Sequence, residues 1–518
     1  MIILSGAVFL FSSFQISYEQ NTSLEMKSGI ASGDIKNDSA IIWSRSNTDA
    51  IMNVEYKDSS SLNHSFSNPI LKTKVNSLTN YTGHIKLNNL LPNTNYYYNV
   101  WFSDSNNSSM KSENVSGKFR TAPNADSDLK NINFIIGGDL AGSSDNRTLC
   151  RQVDIGYPIF SIMKSVKPDF FIFNGDQIYA DFSCPEKISN PSYPYWMNIP
   201  GNFSSVNDID WNDISKLYNE FLAHWEYNRE DFHLQNLLKS TSLYSQADDH
   251  EITDNYGGQW QYLNPHFDPK LHNKTGYPNL VKTGIDVFFK FSPIDRNQTE
   301  PDKIYRMFNW GKNLDLFLLD AHSYRSQNDL PDTLQNNKTL YGKEQLNWLQ
   351  NGLLNSKATW KVISNPIPIT IPDCFGKKGE CNSWAVNKLN NNLTFAKERA
   401  QFLKFLDDNN INNVILITTD VHFAGTVRVE NDFNGDEDKL IFYEMANGPL
   451  STNTRGTTNP VDPTINATYL YNETALFNFG HIQLKENPAD KKTHFKYEVI
   501  DSNGRIRPNS LEDLAPMN

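Results

Sequence analysis

The sequence lacks the long apolar segments of a membrane-spanning protein. After residue 11 no segment approaches the roughly 20 apolar residues that cross a bilayer, and the mean hydropathy of -0.56 is too polar for several spans. An excess of basic residues is also missing, since 47 Lys and Arg face 59 Asp and Glu, a net charge of -12. This balance argues against sequence-specific or broad nucleic-acid binding. It does not exclude a phosphate substrate, because a bound metal can dominate the local field.

Cysteine is scarce, with only Cys150, Cys184, Cys374 and Cys381. No Cys-x-x-Cys pair typical of structural zinc is present. An even count permits two disulfides in an exported protein. Cys374 and Cys381 could close a short loop, which would leave Cys150 to pair with Cys184. Spacing alone does not fix this pairing.

Several functional signatures are absent as well. The sequence has no Gly-rich phosphate loop, no dinucleotide fingerprint, no convincing Ser-His-Asp arrangement and no internal repeat. Hydrophobic residues make up 38% of the chain, which is too apolar for a disordered protein. At roughly 100–200 residues per domain, the length indicates two to four domains.

The N-terminus and the sequons favour export. Residues 2–11 form a short apolar run typical of a signal-peptide core, although a basic n-region and a clear cleavage site are missing. A buried strand is the alternative. Asn-x-Ser/Thr sequons number about fifteen, and such acceptors matter only outside the cytosol; an Asn- and Ser-rich composition is the other explanation. We expect a signal-like segment at 1–23 and a secreted or cell-surface protein.

Residues 24–122 are predicted to form a β-sandwich. Short strands at 40–44 and 52–56 are separated by Asn, Asp and Ser turns. Residues 90–100 resemble the fibronectin type III signature, in which a tyrosine packs over a Pro-containing corner. Tyr96, Tyr98 and Val100 alternate with period two, as a half-buried strand requires. A polar linker follows at 122–128.

From 129 to 502 strands alternate with helices, which indicates an α/β catalytic domain. The strands are predicted at 132–136, 169–173, 243–247, 314–319, 360–364, 414–418, 440–445, 479–484 and 494–500. The helices are predicted at 214–238, 344–354 and 395–407, and the insertions 184–212 and 255–297 are predicted to be irregular walls of a pocket. Residues 503–518 are expected to form a polar tail.

Acidic and histidine residues follow the ends of four predicted strands. They are Asp139, Asp176, Asp249 with His250, and Asp420 with His422. The carboxyl ends of strands form the ligand crevice of open α/β sheets. One such Asp is ordinarily a turn or a helix cap. Several carboxylates in one crevice repel one another unless cations hold them, so the pattern predicts a metal site.

Three motifs resemble the PhoD-type alkaline phosphatases and phosphodiesterases of the calcineurin-like metallophosphatase superfamily. They are Gly-Asp-Gln-Ile-Tyr-Ala-Asp (175–181), Asp-Asp-His-Glu-x-x-Asp-Asn (248–255) and Asp-Val-His (420–422). The Asp-x-x-Tyr element and the preceding sandwich are also similar to purple acid phosphatases. The resemblance implies a four-layer α/β/β/α metallophosphatase sandwich behind the fibronectin III-like domain.

The resemblance assigns two metals that share Asp176. Tyr179, Asp139 and His422 would complete the first site, where a phenolate suits Fe(III). In PhoD-type proteins a cysteine often stands at the position of Asp139, so this site is closer to that of the purple acid phosphatases.

The second metal would take Asp176, Asp249, Asn365 and Asp420, where other superfamily members use Asn at 249 and His at 365 and 420. These oxygen ligands favour Ca²⁺, Mg²⁺ or Mn²⁺ over Zn²⁺. The implied cofactors are Fe(III) plus Ca²⁺, with Zn²⁺ or Mn²⁺ as alternatives.

The remaining assignments concern the substrate. His250 is implied to hydrogen-bond the phosphoryl group or protonate the leaving oxygen, with Glu251 and Asp254 orienting it or the neighbouring backbone. Arg325 is assigned to substrate phosphate, against a structural ion pair to Asp320. Asn174 could donate to phosphate or merely shape a turn.

The sequence thus predicts a secreted phosphoric ester hydrolase that uses a metal-activated hydroxide at a two-metal site without a phosphoenzyme. Its substrate would be a nucleotide, a phospholipid headgroup or a wall polymer, as a monoester or a diester. The alternative is an inactive metallophosphatase fold that serves as a cell-surface glycan- or protein-binding module.

Overall fold

The computed structural model describes residues 23–59, 66, 69–141, 150–151, 155–184, 189–190, 193–194, 201–257, 274–328, 330–333, 335–375, 380–386 and 393–517. The predicted signal-peptide core at 2–11 lies outside these residues. Within the described ranges, no helix combines the length and the apolar character needed to cross a membrane.

Six α-helices and twenty-four strands are present in the described residues. The strands up to residue 120 are β1 (Ile30–Gly33), β2 (Ala40–Arg45), β3 (Ala50–Asp58), β4 (Leu71–Val75), β5 (Thr82–Leu87), β6 (Asn95–Ser103) and β7 (Val115–Arg120). Those up to residue 318 are β8 (Asn131–Gly137), β9 (Phe170–Asn174), β10 (Ser189–Asn190), β11 (Tyr193–Pro194), β12 (Ser242–Gln246), β13 (Arg306–Asn309) and β14 (Leu314–Leu318).

The remaining strands and the helices complete the catalytic region. The strands are β15 (Trp360–Ser364), β16 (Cys374–Phe375), β17 (Glu380–Cys381), β18 (Val414–Thr418), β19 (Ala424–Asn431), β20 (Leu440–Ala446), β21 (Ala467–Glu473), β22 (Asn478–Glu486), β23 (Thr493–Asp501) and β24 (Glu512–Leu514). The helices are α1 (Ile159–Ser165), α2 (Ile214–Arg229), α3 (Phe232–Leu238), α4 (Tyr277–Phe291), α5 (Gly342–Asn355) and α6 (Ala396–Asp408).

Two large sheets form the middle layers of the catalytic region. One has the order β24-β23-β22-β8-β9-β12-β1-β2-β5, and the other β13-β14-β15-β18-β20-β19-β21. Their facing side chains, including Phe134, Ile172, Leu316 and Val362, share one apolar core. A second core packs α1 to α4 on the outer face of the first sheet, and a third packs α5 and α6 on the second. The predicted α/β/β/α sandwich behind a β-rich N-terminal domain is therefore confirmed.

The N-terminal sandwich is continuous with the catalytic sheet. Its four-stranded half has the order β4-β3-β6-β7, whereas β1, β2 and β5 extend the nine-stranded sheet through a parallel pairing of Gly33 with Leu243. The side chains of Met52 and Tyr98 belong to the same core as Phe134. Residues on both sides of the predicted 122–128 linker thus share a sheet and a core.

Three predicted elements differ from the structure. The helix predicted at 214–238 is two helices, because the Asp231 side chain accepts from Leu234 N–H and begins α3. The insertion predicted to be irregular at 255–297 contains the apolar helix α4, which starts after Gly276 with Pro278 in its first turn. The polar tail at 503–518 contains β24, which pairs at the sheet edge with β23.

Both disulfides that the sequence analysis considered are formed. Cys150 bonds Cys184, and Cys374 bonds Cys381 within the short hairpin of β16 and β17. The second bridge brings Asp373 and Asn382, which flank it, close together: Asn382 N–H donates to the Asp373 carbonyl at 2.8 Å.

Candidate metal centre

The candidate ligands lie where the parallel strands of both sheets end. Asp139 follows β8, Asp176 follows β9 and Asp249 follows β12 in the first sheet. Asn365 follows β15, and Asp420 with His422 follows β18, in the second sheet. Because the two sheets face each other, their strand ends deliver these side chains to one buried crevice.

Two groups of ligand atoms share Asp176. Ligand atoms of Asp139, Asp176 and His422 lie within 4.8 Å of one another, and so do those of Asp176, Asp249 and His250. Tyr179 joins the first group, since its hydroxyl is 3.2 Å from His422 Nε2 and hydrogen-bonds Asp176. The structure therefore brings together most of the predicted ligands, and Asp176 belongs to both groups.

Asp420 lies beside the first group, and Asn365 is buried at the end of β15. Asp420 N–H donates to Asp139 Oδ1 at 3.2 Å, which ties the loop after β18 to the loop after β8. Asn365 is 1% exposed, and its side-chain Nδ2 donates to the carbonyl of Ile367. This bond leaves Asn365 Oδ1 as the atom available to a ligand.

Unpartnered oxygens concentrate in the crevice. Buried side-chain oxygens without a hydrogen-bond partner among the described residues occur on Asp139, Asp248, Asp249, Asp420 and Asn365. Leaving a buried carboxylate unpaired costs several kcal/mol. A cation in contact with these oxygens would remove that cost, so the residues fit a metal centre.

Electrostatics lead to the same conclusion. Burial raises the pKa of Asp139 to about 7, and burial together with neighbouring carboxylates raises the pKa values of Asp176 and Asp420 well above their usual range. Without a cation, Asp139, Asp176 and Asp420 therefore favour the protonated form. A bound metal would reverse that preference, because it stabilises the carboxylate form.

The ligand loops have strained backbones. Asp139, Asp176, Asp420 and His422 all have positive φ values, of 58°, 50°, 66° and 56°. Such left-handed conformations are uncommon outside glycine and cluster at functional sites. Glu251 supports one of these loops by accepting Asp176 N–H at 3.1 Å and Gln177 N–H at 2.7 Å, and it accepts Asp248 N–H at 2.8 Å from the next loop.

His250 is oriented by a residue that the sequence reasoning missed. Its Nδ1 lies 2.7 Å from Asp181 Oδ1, while its Nε2 is 3.9 Å from Asp254 Oδ1. The imidazole also stacks on Tyr179, with ring centroids 4.1 Å apart. Asp181 is the last residue of the Gly-Asp-Gln-Ile-Tyr-Ala-Asp motif, so its place in that motif was the available signal.

Arg325, the predicted contact for substrate phosphate, is held by protein groups. Arg325 is 3% exposed, and its guanidinium donates to Asn382 Oδ1 at 2.6 Å and to the Asn382 carbonyl at 2.9 Å. It also contacts His322 Nδ1 at 3.1 Å. These bonds, rather than an ion pair with Asp320, hold the side chain, and the contact of Arg325 with substrate stays a prediction.

Asn174 also faces protein rather than solvent. It is fully buried, and its Nδ2 donates to the carbonyls of Asn365 and Ile417, each at 3.3 Å. Asn174 thereby links the end of β9 to the ends of β15 and β18 across the two sheets. This contact fixes the separation of the strand ends that carry the ligands.

This fold, with carboxylates and histidines at facing strand ends, is that of a metal-dependent phosphoesterase. Residues 148–495 match the model of the PhoD-like phosphatase family, and residues 13–123 match the N-terminal domain of PhoD-like phosphatases. The chain belongs to the PhoD-like phosphatase family, which makes it a phosphoric ester hydrolase with a metal centre and a phosphate ester substrate.

Individual relatives agree with this family. Alkaline phosphatase D of Bacillus subtilis (strain 168) is 23% identical over 473 residues, which cover 87% of this chain and 73% of that protein. The solved structure of PhoD has a TM-score of 0.68 at 18% identity and covers 96% of this chain and 93% of that one. Purple acid phosphatase PPD1 from yellow lupin seeds has a TM-score of 0.57 at 12% identity, covering 94% and 73%. At these identities the two structures establish the fold alone.

Proposed function

We propose that the protein is a secreted phosphodiesterase or alkaline phosphomonoesterase with two metals that share Asp176. The observation that carries this proposal is the sharing itself: one carboxylate belongs to two separate groups of ligand atoms. Paired metals at about 3.5–4 Å are a recurrent device for displacement at phosphorus. The family membership favours this enzyme over an inactive binding module.

Fe(III) is the proposed metal of the first group. Tyr179, Asp139, Asp176 and His422 supply a phenol oxygen, two carboxylates and an imidazole there, and a phenolate is a hard anionic donor. The imidazole of His422 hydrogen-bonds the backbone of Asn453, which fixes the ring and leaves Nε2 facing Tyr179.

Ca²⁺ is the proposed metal of the second group. Asp176 and Asp249 supply carboxylate oxygens, whereas His250, the third member of this group, is assigned to the substrate. Asp420 and Asn365 offer further unpartnered oxygens from the facing strand ends. Oxygen donors suit Ca²⁺ better than Zn²⁺. Zn²⁺ or Mn²⁺ in either group is the alternative that metal analysis would reveal.

The bound metals would supply Lewis acidity and an activated water for attack on phosphorus. The chain's own residues would position the ester and move the proton. Asp181 fixes His250 Nδ1, so that Nε2 is the nitrogen available to a phosphoryl oxygen or to the leaving oxygen. Glu251 holds the backbone at Asp176 and Asp248, which keeps the two acidic loops at a constant separation.

We infer export from the two disulfides, which persist in oxidising compartments. The natural substrate would then be an extracellular phosphate ester, such as a nucleotide, a phospholipid headgroup or a wall polymer.

Hydrolysis of bis(p-nitrophenyl) phosphate and p-nitrophenyl phosphate tests the activity. Asp176→Asn keeps the side-chain volume but removes the shared charge, and Asp126→Asn on the surface is the matched control. We expect the control to retain wild-type rates and Asp176→Asn to lose at least about 10³-fold in kcat. Equal activity of both variants would reject the two-metal mechanism.

A further inference from the structure

A short segment after β20 crosses the rim of the metal centre. Leu450 N–H donates to the Gly138 carbonyl at 2.9 Å, and Ser451 N–H donates to the Asp139 carbonyl at 3.2 Å. Further along, Arg455 N–H donates to the His422 carbonyl at 3.1 Å. The segment is therefore fixed to both loops of the first ligand group, and it places the backbone of Arg455 directly beside His422.

The Arg455 side chain stands at the solvent side of this rim. It is 45% exposed, and its Nη2 lies 3.4 Å from Oδ1 of the buried Asp373. The carboxylates of Asp373 and Asp420 lie close enough to repel each other. The guanidinium is thus held on the Asp420 side of the centre.

The arginine on the inner side of Asp373 cannot serve the same purpose. Arg325 is 3% exposed, its Nη1 and Nη2 donate to Asn382, and Nη1 also lies 3.1 Å from His322 Nδ1. Asn382 in turn hydrogen-bonds the Asp373 side chain. Arg325 therefore supports Asp373 through Asn382, and Asp373 in turn pairs with the exposed Arg455. The exposed guanidinium is the one that a phosphate ester entering the crevice would meet.

We propose that Arg455 is a substrate-binding residue that contacts a terminal phosphoryl oxygen and favours phosphomonoesters over phosphodiesters. A monoester carries three non-bridging oxygens and up to two charges, whereas a diester carries two such oxygens and one charge. A guanidinium matches phosphate oxygens in a planar, two-point geometry. In a diester the third of these oxygens carries the second ester group, so a diester gains less from this contact. The inference rests on the proposed phosphoesterase site.

Steady-state kinetics on p-nitrophenyl phosphate and bis(p-nitrophenyl) phosphate test the proposal. The variants are Arg455→Ala and Arg455→Lys, and the control is Arg428→Ala, which removes a partly exposed arginine paired with Glu430 on β19. For Arg455→Ala we expect a loss of about tenfold or more in kcat/KM on the monoester, chiefly through KM. On the diester we expect less than about a twofold change. Arg455→Lys should recover part of the loss, and the control should match wild type.

Binding of inorganic phosphate to the metal-loaded protein, measured by calorimetry, gives a second readout that needs no turnover. The proposal predicts an about tenfold weaker Kd for Arg455→Ala and an unchanged Kd for Arg428→Ala. An equal loss on both esters, or an unchanged phosphate affinity, would overturn it. If the wild type hydrolysed neither ester but bound phosphate through Arg455, the proposed activity and the preference for monoesters would fail, while the assignment of Arg455 as a phosphate-binding residue would stand.

Discussion

His250 Nδ1 lies 2.7 Å from Asp181 Oδ1, which makes Asp181 the orienting partner of the histidine beside Asp176. The Asp181 carboxylate also accepts Asp254 N–H through Oδ2 at 3.0 Å. One side chain thus fixes both the ring and the turn that follows it. Since Nδ1 is occupied, the reactive nitrogen of His250 is Nε2.

Replacing Asp181 by Asn should slow catalysis without unfolding the protein. The amide can keep one hydrogen bond but loses the charge that favours a protonated imidazole. We expect kcat to fall by about 10–100-fold. The fall should grow as the leaving group becomes more basic, because a poor leaving group needs the proton more. A series of aryl phosphates with different phenol pKa values measures this trend.

Asp254→Asn is the matched control for that experiment, since Asp254 is 3.9 Å from His250 Nε2 rather than hydrogen-bonded to it. Its rate should stay closer to that of the wild type. If the rates of Asp181→Asn and of the wild type depended equally on the pKa of the leaving phenol, His250 would not be the proton donor.

Glycine at 175 is required by contact as well as by conformation. Gly175 and Gly435 both have φ of +86°, but a Cβ at Gly175 would lie 2.4 Å from Asp248 Cβ, whereas Gly435 has no neighbour within 4 Å. Ala at 435 should therefore cost about 1 kcal/mol in free energy of unfolding, from backbone strain alone. Ala at 175 should cost about 1–3 kcal/mol more.

Urea unfolding of the two alanine variants measures this difference directly. Because Gly175 precedes Asp176, its variant should also bind metal more weakly. Equal stabilities for the two variants would show that the loops after β9 and β12 can separate without cost, contrary to the tight packing at Asp248.

Glycosylation should follow exposure. Ten sequon asparagines lie in the described part of the chain, and Asn80 among them is only 4% exposed. The other nine are exposed: Asn37, Asn106, Asn107, Asn114, Asn202, Asn297, Asn337, Asn466 and Asn472. The Asn80 side chain would have to leave the folded sandwich to carry a glycan, so we expect this site to be unmodified in secreted protein.

Enzymatic deglycosylation followed by peptide mass spectrometry identifies the occupied sites, because each released asparagine becomes an aspartate. Occupied exposed sites with an unmodified Asn80 would agree with the proposed export. Full occupancy of Asn80 would contradict the fold at the start of β5, and unmodified asparagines at all ten positions would count against a glycoprotein.

The sequence revealed the ligands because a local pattern encodes them. Asp139, Asp176, Asp249 and His422 each follow a recognisable apolar strand, and parallel strands bring such positions to one edge. The same local pattern could not assign Arg325, because its burial depends on Asn382, 57 residues away. Arg455 was not predicted at all, because no motif marks it. Its place at the site depends on backbone hydrogen bonds from its segment to the loops that carry Asp139 and His422.

The sharing of Asp176 between two groups of ligand atoms is the central claim, and metal analysis of purified protein by plasma mass spectrometry tests it most directly. The account predicts iron plus about one calcium per chain in the wild type, with both lost in Asp176→Ala and both retained in Asp126→Ala. Two zinc ions and no calcium would contradict the proposed pair of metals. Unchanged metal content in Asp176→Ala would contradict the shared carboxylate itself.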